Sequence, residues 1–206
     1  MSDFRCAAVL LAAGASTRLG RPKQLILLQE ESLLHRTARL AVEAGCSPVL
    51  VVLGFEADQL RPQLADLPVE IVLNLEWQQG MGSSLRAGMN ALSSTQPDPR
   101  PALSAVLVLV CDQPRLTLDH LCELLTRHRG GAPHAAITAS SYAGRAGVPA
   151  IFAAPLFPDL LASAGDRGAR DLILAHAAAV QRIPWPDGET DLDTPGDLGH
   201  LMQRKF

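Results

Sequence analysis

The sequence predicts an α/β protein of three layers, in which helices cover both faces of a mostly parallel central sheet. Short apolar runs that end at glycine or at a polar residue are typical of strands buried on both faces. Segments with apolar residues at helical spacing separate these runs, and the alternation continues along the chain. Such alternation favours a parallel sheet. The 206 residues, 48% of them apolar, are enough for a single domain spanning residues 1–206.

The first half of the chain is predicted to contain three strands and three helices. Apolar runs, often β-branched, predict the strands. These runs are at residues 6–11, 48–53 and 69–73. Apolar residues at helical spacing predict the helices, which are at residues 32–41, 56–65 and 83–92. Gly45, beyond the first of these helices, is a typical stop signal.

The second half continues the same alternation. Its strands are expected at residues 105–110, 135–139, 148–152 and 180–184. Its helices are expected at residues 118–129, 155–163, 166–178 and from about 193 onward. Residues 105–110 form the most hydrophobic run and are expected at the centre of the sheet. Asp193 or Thr194 can cap the terminal helix. Pro195 follows them, and a proline near a helix start is favourable.

Composition excludes several classes of function. The net charge of −3 includes no basic block, and 4% of the residues are aromatic, so no nucleic-acid partner is expected. No apolar run approaches the length of a membrane span, so no membrane partner is expected either. Gly14 interrupts the N-terminal apolar run, so this run is expected to be a strand and not a signal peptide. The expected location is therefore the cytoplasm. The four cysteines lack C-x-x-C spacing and are expected to be buried thiols.

The loop after the first strand is the candidate phosphate-binding element. It begins Leu11-Ala12-Ala13-Gly14-Ala15-Ser16 and continues through Arg18, Arg21 and Lys23. Small residues let a backbone approach a ligand, and free N–H groups in such a turn form an anion site. Its glycine spacing fits neither the P-loop nor the dinucleotide fingerprint. An ordinary strand-to-helix connection with surface cations is the alternative.

Two aspartates are candidate metal ligands. Asp112 follows the most hydrophobic strand, and carboxyl ends of parallel strands are where ligands bind in open α/β sheets. A carboxylate beside a phosphate loop suits Mg2+, which prefers carboxylate, water and phosphate oxygens. The alternative for Asp112 is a turn or helix-capping residue. For Asp193, a metal ligand and a helix cap are equally open. The six histidines show no pair at metal spacing and receive no role.

Several longer motifs resemble known nucleotidyltransferases. Residues 11–23 follow the pattern L-A-A-G-x-S-x-R-x-G-x-x-K, which is similar to the signature loop of enzymes that activate sugars, sugar alcohols and pterins. Further segments resemble the molybdenum cofactor cytidylyltransferases. They are residues 74–88, 111–114, 147–152, 165–170 and 193–197. The resemblance to this molybdopterin nucleotidyltransferase-like family therefore covers nearly the whole chain.

The resemblance implies a Rossmann-like nucleotidyltransferase fold and a Mg2+-dependent enzyme. A phosphate of the acceptor would attack the α-phosphorus of a nucleoside triphosphate, and pyrophosphate would leave. Arg18, Lys23 and Asp112 would be catalytic, with Asp112 and Asp193 as candidate metal ligands. Nucleotide-binding residues would be Leu11, Ala12, Ala13, Gly14, Ala15, Ser16, Arg18, Lys23, Gly80, Ser84 and Asp112. Acceptor-binding residues would be Asn74, Gly165, Asp166, Gly168, Ala169 and Arg170.

The resemblance also implies CTP as the nucleotide and a molybdopterin-type phosphorylated acceptor, with a molybdenum hydroxylase as recipient of the product. Relatives that use GTP tend to have Leu-Ala-Gly-Gly, whereas this chain has Leu11-Ala12-Ala13-Gly14, and the Ala13 methyl leaves less room for a purine. One segment departs from the family pattern. Relatives usually have Gly-x-Pro-Leu-Leu before the first helix, and this chain has Glu30-Glu31-Ser32-Leu33-Leu34.

Three alternative functions stay open beside CTP-dependent transfer. The first is a GTP-dependent molybdopterin guanylyltransferase. The second is a nucleotidyltransferase that acts on another phosphorylated small molecule. The third is a non-catalytic carrier of the molybdenum cofactor, although a carrier would not need Arg18, Lys23 and Asp112 together.

Overall fold

A central β-sheet organises the protein. The computed structural model describes residues 4–17, 19–94, 101–131, 135–166 and 168–189. Arg18, Asp193 and the expected terminal helix lie outside these residues. Within them, the sheet has seven strands in the order β5-β4-β1-β6-β8-β7-β9. These strands are β1 (Cys6–Leu11), β4 (Val49–Leu53), β5 (Glu70–Leu73), β6 (Ala105–Val110), β7 (Ile137–Tyr142), β8 (Arg145–Ala153) and β9 (Val180–Pro184).

Helices cover both faces of the sheet, as the alternating sequence pattern predicts. They are α1 (Leu33–Glu43), α2 (Ala57–Leu60), α3 (Met81–Ser94), α4 (Leu118–Arg129), α5 (Phe157–Leu161) and α6 (Ala169–Ala175). Buried residues of α1, α2 and α4 pack on one face, and those of α3, α5 and α6 pack on the other. Strand β1 serves both cores, because its side chains alternate between the two faces. None of the described helices is long and apolar enough to cross a membrane.

The sheet is mostly parallel, with one reversed strand. Strand β8 runs antiparallel to β6 and to β7, whereas the other neighbouring strands pair in parallel. Strands β7 and β8 are longer than the sequence predicts, because they form a hairpin whose pairing continues to Tyr142 and Arg145. This hairpin brings its turn toward the carboxyl end of β6.

Two further features differ from the sequence predictions. A short hairpin of β2 (Leu27–Leu28) and β3 (Glu31–Ser32) precedes α1, and its turn residues Gln29 and Glu30 have positive φ angles of 52° and 67°. Glu30 thus occupies, at the glycine position of the family pattern, a conformation that glycine adopts without strain. The second difference is Cys122, which is exposed, whereas the other three cysteines are buried as expected.

The sheet brings the candidate phosphate-binding loop and Asp112 together. Strands β1 and β6 are neighbours, and Leu11 lies opposite Val110 at their carboxyl ends. The chain continues from β1 toward β4 on one side, while β6 lies on the other side, so the strand order reverses between them. Ligands in open α/β sheets bind at such a reversal.

Candidate active site

A cavity of about 360 Å³ lies at the carboxyl ends of β1 and β6, and we call it the loop cavity. Its wall brings together residues that are far apart in the sequence. The expected nucleotide-binding residues that line it are Leu11, Ala12, Ala13, Gly14, Ala15, Ser16, Lys23, Gly80, Ser84 and Asp112. The loop after β1, the turn before α3 and the end of β6 therefore form one concave surface.

Hydrogen bonds fix the backbone of the loop after β1. The amide of Gln24 donates to the carbonyl oxygens of Ala12, at 2.8 Å, and of Gly14, at 2.9 Å. The N–H of Phe55 donates to the carbonyl oxygen of Ala13 at 3.0 Å. In a trans peptide the N–H points opposite to the carbonyl. The N–H groups across these same peptide planes are thus the groups that the loop can present to an anion.

Ser16 closes this loop. It has a φ angle of 51°, and its Oγ accepts a hydrogen bond from the backbone N–H of Lys23 at 3.0 Å. The side chain of Gln24 is buried beneath the loop and is 1% exposed. Gln24 could not be predicted from the sequence, because a lone glutamine carries no local signal for a contact made ten and twelve residues away.

Lys23 and Asp112 form an ion pair across the loop cavity. Lys23 Nζ lies 2.5 Å from Asp112 Oδ2. The adjacent Cys111 is only 2% exposed, and burial raises the pKa of its thiol to about 12, with the charge of Asp112 acting in the same direction. Cys111 is therefore a neutral thiol at neutral pH, so it is a core residue and not a nucleophile.

A second cavity, of about 230 Å³, adjoins the first, and we call it the hairpin cavity because the β7–β8 hairpin lines it. The two cavities share wall residues, among them Asp112 and Asp166. Of the expected acceptor-binding residues, Asp166, Ala169 and Arg170 line the hairpin cavity. Asp112 thus lies where a ligand in one cavity would meet a ligand in the other.

The β7–β8 hairpin contributes residues to the hairpin cavity that no sequence motif predicts as site residues. Tyr142 and Arg145 line the hairpin cavity, with the guanidinium of Arg145 5.9 Å from the centre of the Tyr142 ring. The amide nitrogen of Gln113 donates to the carbonyl oxygen of Val148 at 3.0 Å, and the Tyr142 hydroxyl donates to the same oxygen at 3.0 Å. These bonds attach the segment after Asp112 to the hairpin.

Asn74 lies in a different place from the one expected. It is buried, at 5% exposure, and its amide donates to the hydroxyls of Ser83, at 2.8 Å, and Ser84, at 3.0 Å. Its carbonyl oxygen accepts from the backbone N–H of Glu76 at 2.9 Å. Because Ser84 lines the loop cavity, Asn74 supports the wall of that cavity and does not line the hairpin cavity.

Gly165 and Gly168 contribute backbone rather than a cavity surface. The carbonyl oxygen of Gly165 accepts from the N–H of Gly82 at 2.8 Å. Gly168 precedes α6 and packs on Met81, whose side chain lines both cavities. Trp77 also lines the loop cavity, and its ring lies 5.5 Å from that of Phe55. It offers an aromatic surface beside the loop.

The site fits a divalent cation that is held mainly by phosphate. Among the described residues, no group of three or more histidine, cysteine, aspartate or glutamate side chains could hold a metal ion. Two carboxylates line the loop cavity within the described part of the chain: Asp112, from the end of β6, and Asp166, which precedes α6. Mg2+ in phosphate-transferring sites commonly uses one or two carboxylates together with substrate phosphates. Asp112 and Asp166, on the same cavity as the loop after β1, match that pattern.

A known protein family matches most of this chain. The family model described as the MobA-like NTP transferase domain matches residues 8–180. The chain belongs to this family. It is accordingly a nucleotidyltransferase, and divalent metal dependence is typical of such enzymes.

Individual relatives cover nearly the whole chain. Nicotine blue oxidoreductase of Paenarthrobacter nicotinovorans is 34% identical over 98% of both chains. Purine catabolism protein PucB of Bacillus subtilis is 30% identical over 91% of both chains. The crystal structure of Rv0371c from Mycobacterium tuberculosis has a TM-score of 0.80 at 26% identity and covers 98% of this chain and 100% of its own. A structure of Rv0371c in complex with manganese has a TM-score of 0.77 at 25% identity and the same coverage.

Proposed function

We propose that this MobA-like NTP transferase transfers CMP from CTP to the terminal phosphate of a molybdopterin-type acceptor. The observation that carries the proposal is the junction of the two cavities at Asp112, with the loop after β1 on one side and the hairpin on the other. A reaction between two bound phosphates requires two adjoining sites with a charged group between them. A molybdenum hydroxylase would receive the product.

The loop cavity would hold the nucleotide. Lys23 and the N–H groups of the loop at residues 13–16 would bind the triphosphate, and Arg18 would add charge to the leaving pyrophosphate. Ala13, Gly80 and Ser84 would contact the base, where small side chains leave the backbone accessible for hydrogen bonds. Asn74 would support this wall through the hydroxyl of Ser84.

Asp112 would hold Mg2+, and Asp193 is a second candidate ligand. When bound, the ion would neutralise charge on the phosphates and make the α-phosphorus more electrophilic. The protein would align the two substrates and exclude water from the reacting atoms. An oxygen of the acceptor phosphate would form a bond to the α-phosphorus, and the bond from that phosphorus to the bridging oxygen would break and release pyrophosphate.

The hairpin cavity would hold the acceptor. Arg145 and Arg170 both line it and would attract an anionic group, while the carboxylate of Asp166 would accept hydrogen bonds from donors on the acceptor. Tyr142 presents an aromatic ring on the same wall. A compact molecule with both an anionic group and a planar polar ring would match this lining, as a phosphorylated pterin does.

One relative supports a second candidate. The 34% identity to nicotine blue oxidoreductase extends over 98% of both chains, so reduction of a planar heteroaromatic compound is the alternative activity. The ion pair of Lys23 with Asp112 beside an anion-binding loop favours the transferase, since hydride transfer does not require it.

Pyrophosphate release tests the proposal. The purified protein is incubated with Mg2+ and with each of CTP, GTP, ATP and UTP, with and without molybdopterin and other phosphorylated acceptors. We expect release only with acceptor present and most rapidly with CTP and molybdopterin. Release with GTP and molybdopterin, but not with CTP and molybdopterin, would favour the guanylyltransferase. Release only with other phosphorylated acceptors would favour a different acceptor substrate. Oxidation of NADH or NADPH by a heteroaromatic dye, without pyrophosphate release, would favour the oxidoreductase.

A further inference from the structure

Two segments from opposite walls of the site contact each other directly. The first turn of α3 begins after Gly80 and carries Ser84 on the wall of the loop cavity. The other segment, residues 163–166, ends at Asp166, which lines both cavities. The loop-cavity wall and the hairpin-cavity wall therefore share a backbone contact.

Glycines allow this contact to be very close. The N–H of Gly82 donates to the carbonyl oxygen of Gly165 at 2.8 Å. A Cβ atom on Gly82 would lie 2.5 Å from the carbonyl carbon of Ala164, and a Cβ atom on Gly80 would lie 2.7 Å from the carbonyl oxygen of Gly165. At Gly82 the nearest atoms all belong to the backbone of Ala164, so a side-chain rotation could not relieve the overlap, whereas at Gly80 a Cβ atom would meet the Asp166 carboxylate as well as the Gly165 backbone.

The helix is the fixed partner in this contact. Gly88 of α3 packs so closely on the sheet that a Cβ atom there would lie 2.5 Å from a Val9 methyl carbon. Leu85 and Met89 of the same helix are at most 1% exposed. The residues on the other side, 164–166, are exposed. A methyl group at position 82 would therefore displace residues 163–166 and not the helix.

A second contact lies one helical turn further along α3. Arg86 Nη1 donates to the carbonyl oxygen of Ser163 at 3.2 Å, and its Nη2 lies 3.2 Å from a carboxylate oxygen of Glu76. Residues 82 and 86 lie on the same side of the helix, because residues four apart are neighbours there. The same face of α3 therefore holds residues 163–166 at two points.

We propose that Gly82 and Arg86 are positioning residues that set the place of Asp166 and so make acceptor binding depend on the conformation of the nucleotide side. Gly80 lines the loop cavity just before α3 and Ser84 lines it from the first turn of the helix, so a change there is passed through the Gly82–Gly165 hydrogen bond to Asp166. The identity of the two ligands rests on the proposed function, but the mechanical connection does not.

Hydrogen exchange of the ligand-free protein tests the connection. The variants are Gly82→Ala and Arg86→Met, and the control is Asn90→Ala, on the exposed side of the same helix. In the first two variants we expect exchange of the peptide covering residues 163–166 to become roughly tenfold faster, with residues 85–92 unchanged, since a local opening affects only its own segment. Unchanged exchange at residues 163–166 in both variants would overturn the proposal. Arg86→Met decides the result if Gly82→Ala lowers the melting temperature.

Steady-state kinetics tests the effect on the substrates. With Mg2+, CTP and molybdopterin, we expect Gly82→Ala and Arg86→Met to raise KM for molybdopterin roughly tenfold, because small displacements of positioning groups have effects of this size or larger. KM for CTP should change much less. Equal increases in both KM values would overturn the positioning role. A wild-type protein that releases no pyrophosphate would count against the proposed function alone, and the exchange experiment would still decide whether the two walls are connected.

Discussion

Lys23 and Asp112 neutralise each other at the junction of the two cavities. The Nζ–Oδ2 distance is 2.5 Å, and the two side chains are 20% and 19% exposed. The residues are 89 positions apart in the sequence, and the loop after β1 and the carboxyl end of β6 bring them together. A metal ion bound to Asp112 would have to compete with the ammonium group, so metal and triphosphate would rearrange this pair together.

Replacing Lys23 should therefore separate metal binding from turnover. In Lys23→Ala, we expect Mn2+ to bind the nucleotide-free protein more tightly, since the carboxylate has lost its competing cation. We expect kcat/KM for the nucleotide to fall by about 10²-fold, through the lost charge on the triphosphate. Lys23→Arg should not restore full activity, because a planar guanidinium does not replace a compact ammonium. Calorimetric Mn2+ titration measures the first effect and steady-state kinetics the second. If neither Mn2+ affinity nor kcat/KM changes, the assignment of Lys23 to the triphosphate site is contradicted.

Asp112→Asn should abolish metal-dependent turnover without unfolding the protein. The amide keeps the size of the side chain but removes the anionic ligand, and loss of one preorganised electrostatic group typically costs about 2.7–4 kcal/mol of transition-state stabilisation. Pyrophosphate release across a Mg2+ titration, together with circular dichroism, measures both parts. Asp58→Asn, at a fully exposed side chain, is the control. Near-normal rates in Asp112→Asn would contradict the assignment of Asp112 to the active site.

Gly14→Ala separates ligand binding from folding. A Cβ atom on Gly14 would meet no atom within 4 Å, so we expect the free energy of unfolding to change by less than about 0.5 kcal/mol. A triphosphate seated against the loop backbone would meet the new methyl group, and kcat/KM should fall at least about tenfold. Gly130→Ala, far from the cavities, is the control for stability. Full activity in Gly14→Ala would mean that phosphate does not approach this part of the loop.

Ala13→Gly should shift nucleotide preference toward GTP. The Ala13 side chain lies on the wall of the loop cavity, and a methyl-sized difference in a pocket is worth about 1–3 kcal/mol, or 10–200-fold. The ratio of kcat/KM for CTP and GTP, measured in competition, should exceed one in the wild type and decrease in the variant. A wild-type ratio at or below one would contradict CTP preference while leaving nucleotidyl transfer intact. An unchanged ratio in the variant would show that this position does not contact the base.

Glu31 should stabilise the protein in a pH-dependent way. Hydrogen bonds from Arg39 lower the pKa of Glu31 from 4.5 to about 2, with His35 acting in the same direction. Its contribution is thus complete above pH 4.5 and is lost as the pH falls from 4.5 to about 2.

Glu31→Gln should lower the free energy of unfolding at neutral pH by on the order of 2 kcal/mol and weaken its dependence on pH in this range. Glu43→Gln is a matched control, because Glu43 pairs with the same arginine but is 41% exposed. Chemical denaturation at a series of pH values measures the difference. Parallel pH profiles for Glu31→Gln and the wild type would contradict the prediction.

Local sequence signals were sufficient for most of the fold and for much of the lining of the loop cavity. The apolar runs at β1 and β6 are continuous, so their burial and parallel pairing could be predicted. Because both strands end at the same edge of the sheet, the meeting of the loop with Asp112 also followed. The hairpin before α1 has strands of two residues each, which is too short for a periodic pattern.

The hairpin cavity depends on contacts that no local pattern records. Tyr142 and Arg145 approach Asp112 only because β8 pairs antiparallel with β6 and turns the hairpin toward the site. Asn74 follows a strand and shares a motif with Ser84, so the sequence predicts a site residue, but its amide is fully engaged by buried partners. The direction of a side chain is decided by tertiary packing, which a motif does not specify.

The reversed direction of β8 gives the two halves of the site different capacities for evolutionary change. The loop cavity is built from strand ends and the first turn of a packed helix, where an insertion would shift residues of the core. The hairpin cavity, in contrast, is lined by the β7–β8 hairpin, which has a two-residue turn at Ala143 and Gly144, both exposed. Residues added at that turn would alter the shape of the hairpin cavity without changing the register of any strand pair. Descendants of one ancestral enzyme could in this way acquire new acceptors while retaining the same nucleotide chemistry.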